Sequence, residues 1–150
     1  MDPLGITASV ITVLQATHAI LSVCYDYSSA VGNSSWELRR VTKEVKSLRD
    51  VLETLEKLAE GAGPAAETQL PTLKRLCEPK EGHLAMCLVE LKTLEKKLAP
   101  LSCTEQAGSK RRAIIQALGW PLREGDTKKT LKNISRFRAI LNLAITADQT

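Results

Sequence analysis

The chain has 150 residues, room for one ordinary domain and not for two. Hydrophobic residues make up 43% and charged residues 25%, a balance that excludes wholesale disorder, while aromatics at 3% argue against a β-sandwich or barrel. The formal charge of +4, from 21 basic and 17 acidic residues, is too slight for a dedicated nucleic-acid binder.

The charge is unevenly placed. Residues 1–36 hold Asp2 and Asp26 and no Lys or Arg, so all 21 basic residues follow Trp36. From Pro3 to Tyr25 no residue is formally charged. As a helix rising 1.5 Å per residue, that run is long enough to cross a bilayer. A secretory signal peptide opens with basic residues, and here Asp2 stands in their place. Leu4, Ile6, Val10, Ile11, Val13, Leu14, Ile20, Leu21 and Val23 favour insertion by about 3–5 kcal/mol together. Thr7, Ser9, Thr12, Gln15, Thr17, His18 and Ser22 offset much of that gain. Insertion of one such helix is therefore marginal, and the expected resting state is a helix buried in a soluble bundle. Ile6, Val10, Val13, Ile20 or Leu21, and Cys24 share one side at helical spacing. Gly5, Ala8, Ser9, Thr12, Ala16 and Ala19 form a stripe of small residues. Such a stripe lets helix backbones approach closely in water or in lipid, and does not discriminate between them.

Gly32-Asn33-Ser34-Ser35 reads as a break, and Ser34 with Glu37 has capping-box spacing. Leu38, Val41, Val45, Leu48, Leu52 and Leu55 then alternate steps of three and four, with Lys, Arg and Glu between them. This predicts a bundle helix over 34–60, ended by Gly61-Ala62-Gly63-Pro64. A short helix is expected within 65–78, between Pro71 and Pro79. Leu84, Leu88, Leu91, Leu94 and Leu98 predict a helix over 81–99, stopped by Pro100, with Ser102 and Glu105 as a further cap. Gly125-Asp126-Thr127 is expected to open the last helix, over 127–147, buried through Leu131, Ile134, Phe137, Leu141 and Ile145. No strand pattern competes. The expectation is an all-α single bundle of about four to six helices with a long apolar N-terminal helix over 1–30.

Catalytic signatures are missing. No zinc-protease, P-loop, dinucleotide or nucleophile-elbow motif occurs, so neither enzyme activity nor a cofactor is expected. Cys24, Cys77, Cys87 and Cys103 have no C-x-x-C spacing and read as reduced cytosolic thiols. His18 and His83 have no evident metal partner in the sequence. Lys110, Arg111, Arg112, Arg123, Lys128, Lys129, Lys132, Arg136 and Arg138 cluster toward the end. They read either as a solvated helix face or as a patch for anionic lipid headgroups, each contact contributing about 1 kcal/mol. Five aromatics offer no stacking platform for nucleic acid.

The opening, Met1-Asp2-Pro3-Leu4-Gly5-Ile6-Thr7-Ala8-Ser9-Val10-Ile11-Thr12-Val13-Leu14-Gln15, resembles that of the fungal HeLo-like domains. These are N-terminal domains of fungal STAND (NACHT-type, NLR-like) receptors. Ala117-Leu118-Gly119-Trp120-Pro121-Leu122, followed by Leu131 through Ala147, resembles the turn and closing helix of the same family. The resemblance covers essentially all of residues 1–150. It implies a bundle related to the HeLo prion-forming domain and to the four-helix domain of mixed-lineage kinase-like pseudokinases. It further implies a cell-death or incompatibility effector of fungal innate immunity, coupled to an NLR-like receptor or an amyloid signalling motif. In that picture the chain is cytoplasmic at rest. Self-association then drives the N-terminal helices into plasma-membrane lipid, while Trp120, Pro121 and Leu122 are structural. Gln15 and His18 depart from the more uniformly apolar first helix of several members. The alternative is a helical adaptor domain that binds other proteins and never enters a bilayer.

Overall fold

A computed structural model describes residues 5–31, 36–63, 69–78, 82–102 and 120–149. They form five helices: α1 (Gly5–Val31), α2 (Trp36–Ala62), α3 (Pro71–Leu76), α4 (His83–Ser102) and α5 (Glu124–Gln149). No strand occurs among the described residues, so the fold is an all-α bundle with a long apolar N-terminal helix. α1 lies between α2 and α4, and α2 also packs on α5. α4 and α5 close the ring more loosely, and α3 sits mainly on α5.

Each long helix enters the core through its apolar stripe. In α2, Leu38, Val41, Val45, Leu48, Leu52, Leu55 and Ala59 are all buried. Full burial of such a side chain contributes about 1.5–3 kcal/mol, so packing holds this otherwise highly charged helix in place. α1 contributes Ile6, Val10, Val13, Leu14, Ala16, Ile20, Cys24 and Tyr27. α4 contributes Leu84, Cys87, Leu91, Leu94 and Leu98, and α5 contributes Leu131, Ile134, Phe137, Leu141, Ala144 and Ile145.

The helix ends have local causes. α2 stops at Ala62 because Gly63 turns left-handed, with φ +57°, the conformation that closes many helices. Ahead of α4, Gly82 lies against the backbone of Leu76 and Glu78. Any Cβ there would collide with main-chain atoms that have no room to yield. The Gly82 N–H donates to the Glu78 carbonyl at 3.0 Å, and the Gly82 carbonyl accepts the Met86 N–H at 3.2 Å.

Several boundaries differ from expectation, α2 among them, which runs past Gly61 to Ala62 instead of ending at 60. α4 runs two residues past Pro100, to Ser102. Proline that close to a helix end removes one backbone bond from the last turn instead of breaking the middle. α5 starts at Glu124, ahead of the expected Gly125-Asp126-Thr127, because the Arg123 carbonyl already accepts the Thr127 N–H at 2.9 Å. It ends at Gln149, not 147. The short helix is only Pro71–Leu76. Its first turn is capped from afar: Asp148 accepts the Thr72 N–H at 3.1 Å and the Leu73 N–H at 2.9 Å. The proposed caps at Ser34 and Glu105 lie outside the described residues.

Candidate functional site

α1 is the helix with the unusual surface. Its stretch Gly5–Ser29 is long and apolar enough to cross a membrane, by length and composition. A core helix of a soluble protein meets the same test. The distinguishing feature is the side turned to solvent. Ala8, Thr12, Gln15, His18, Ser22, Tyr25 and Ser29 are exposed, and none is an acid, Lys or Arg. Asp26, the single acid of α1, is half-buried.

The polar atoms of α1 are partly satisfied by the helix itself. Ser9 Oγ donates to the Gly5 carbonyl at 2.9 Å, Thr12 Oγ1 to Ala8 at 2.9 Å, and Thr17 Oγ1 to Leu14 at 2.7 Å. A hydroxyl bonded back to its own helix takes that bond along when the helix changes solvent, which lowers its desolvation cost. Of the expected inserting residues, Ile6, Val10, Val13, Leu14 and Ile20 are buried. Ile11, Leu21 and Val23 are half-buried, and Leu4 lies outside the described residues. In this state the apolar face belongs to the bundle. The small stripe meets α4 through Ser9 and Thr12, which share a cleft of about 210 Å³ with Leu84, Ala85 and Leu88. It is not uniformly packed: Ala16 is buried, Gly5, Ser9 and Ala19 are half-buried, and Ala8 and Thr12 are exposed.

The basic cluster is divided. Lys110, Arg111 and Arg112 lie outside the described residues. Arg123 precedes α5, and Lys128, Lys129, Lys132 and Arg136 lie along its first half, all five exposed. Lys128 pairs with Glu124 at 3.3 Å. Arg138 stands apart from them, half-buried, reaching Glu44 of α2 at 3.4 Å. It ties two helices together and is poorly placed to meet a headgroup. Trp120 is half-buried with its ring 5.8 Å from that of Tyr27 of α1, tilted by 56°. Leu122 is buried and Pro121 exposed, so this turn fastens the start of α5 to the far end of α1.

A second basic surface escaped the sequence reading. Arg39, Arg40, Lys43 and Lys46 are exposed on the first half of α2, and Trp36 stands exposed at its start. Arg39, Lys43 and Lys46 edge a cleft of about 750 Å³ between α1 and α2. The signal was present as cations at i, i+4 and i+7, hidden among the acids of the same helix.

The three described thiols have little nucleophilic character, and Cys103 lies outside the described residues. Burial pushes Cys24 up to about 11, against a hydrogen bond with Thr42. Burial likewise pushes Cys77 up to about 11, and Cys87 to about 12 with help from the Glu90 charge. All three are free and protonated at neutral pH. Among the described residues, no cluster of three or more His, Cys, Asp or Glu side chains is arranged to hold a metal ion. No family model, curated protein or solved structure matches this chain.

Proposed function

We propose that this chain is a non-enzymatic, membrane-targeting cell-death effector domain of the fungal NLR-like type. It acts by self-association and insertion of α1 into the plasma membrane. The observation that carries this reading is the charge-free exterior of α1, wrapped around an apolar face that the bundle holds at rest.

The energetics call for regulation. Leaving the bundle exposes the core faces of α1 and of the helices around it, each large side chain worth about 1.5–3 kcal/mol. Lipid returns much of that burial to α1 but nothing to the core left behind. One helix therefore stays docked. Several copies held together supply effective concentration, and the small stripe supplies close helix packing within lipid. Arg123, Lys129, Lys132 and Arg136 draw the domain to an anionic surface, each worth about 1 kcal/mol there. An upstream receptor or amyloid signalling partner supplies the self-association.

Dye leakage from vesicles tests the reading, with the chain carried on an inducible dimerising partner. Leakage that requires both self-association and anionic lipid is expected. Intact vesicles under forced self-association would instead favour the adaptor reading.

A further inference from the structure

The cleft between α1 and α2 has two unlike walls. Its floor is apolar, formed by Leu21, Cys24 and Leu38. The α1 wall carries His18, Ser22, Ser28 and the exposed ring of Tyr25, and no Asp, Glu, Lys or Arg. The α2 wall carries Arg39, Lys43 and Lys46. Consecutive members of this row are one helical turn apart, so each cation faces a like charge at i+3 or i+4, an arrangement that destabilises a helix. None of the three has an ion-pair partner among the described residues, whereas Arg49, at the inner end, lies 3.3 Å from Asp50 and 3.5 Å from Glu53. The lining residues of α1 run from His18 to Ser28, a cleft length of about 15 Å along the helix.

We propose that this cleft binds a single-chain acyl anion, with the hydrocarbon tail along the Leu21–Cys24–Leu38 floor and the anionic head on Arg39, Lys43 and Lys46. Charge complementarity selects the head, and the apolar floor takes the hydrocarbon tail. The ligand bridges α1 and α2, so it holds the closed bundle together. Binding does not require membrane entry, since the site exists only while α1 is docked.

Titration calorimetry on the full chain tests it, with monomeric dodecanoate below its micelle concentration as the probe. One saturable site is expected, together with a raised melting temperature. Decanoate, two methylenes shorter, binds about 16-fold more weakly at about fourfold per methylene. Combined Arg39→Gln, Lys43→Gln and Lys46→Gln weakens dodecanoate at least about tenfold. Ser22→Trp fills the mouth and abolishes binding with every cation in place. All four positions are exposed or half-buried, and a circular-dichroism melt checks that each variant folds. Several results would overturn the proposal. They are no saturable binding, equal binding of dodecyltrimethylammonium, binding unchanged by Ser22→Trp, or association with vesicles but not with monomeric dodecanoate.

Discussion

α1 and α2 are both 27 residues long and lie against each other, yet they treat charge in opposite ways. Each gives the core a full apolar stripe. α2 carries twelve charged side chains around that stripe, whereas α1 carries Asp26 alone. The bundle thus accepts a charged exterior on a core helix, and α2 demonstrates it. Nothing in the packing of the described residues requires α1 to be bare. The lack of charge on α1 is a property of its sequence that the packing of the described residues does not call for, and membrane entry is the use we assign to it.

Ile20→Ala in α1 and Leu52→Ala in α2 remove fully buried side chains from the same core. Each is expected to cost about 2–5 kcal/mol in urea unfolding, which shows that both helices contribute to the resting state. Loss from Leu52→Ala alone would mean that α1 is only loosely docked.

Alkali probes the same docking. The unfolded thiols lose their protons near pH 9, whereas the folded ones hold theirs to about 11 for Cys24 and about 12 for Cys87. The unfolded state therefore binds fewer protons in that window, and stability falls as pH rises through it. A urea midpoint that drops above pH 9 in the wild type, and drops less in Cys24→Ala, is the expected result. The periphery responds less. Asp148→Ala removes the cap of α3 and is expected to cost about 0.5–2 kcal/mol, read from the urea midpoint. Smallest is Lys57→Gln on the outer face of α2, expected within about 0.5 kcal/mol and without effect on vesicles.

Much of this architecture was legible in the sequence because helical burial is periodic. Spacing alone places Leu38, Val41, Val45, Leu48, Leu52 and Leu55 on one face, and all are buried. The same holds for Leu131, Ile134, Phe137, Leu141 and Ile145 of α5. Features made by distant residues were not legible. Asp148 caps a helix some 75 positions earlier, and no local pattern announces it. Arg138 read as one more cation of a terminal cluster, and only its reach to Glu44 separates it. The cleft at Arg39, Lys43 and Lys46 needs the opposing wall of α1, which periodicity within α2 cannot supply. Helix ends went astray where backbone chemistry overrode residue preference, as when α4 passed Pro100.

The most direct test of the difference between the two helices puts a charge where α1 has none. Gln15 is exposed near the middle of Gly5–Ser29, so Gln15→Lys leaves the resting bundle intact to within about 0.5 kcal/mol. In the middle of a bilayer the same lysine costs about 2.5–3.5 kcal/mol per helix. Leakage from anionic vesicles, measured for wild type and Gln15→Lys at matched self-association, is predicted to fall at least about 50-fold while the urea midpoint stays put. Equal leakage from the two proteins would contradict membrane entry by α1.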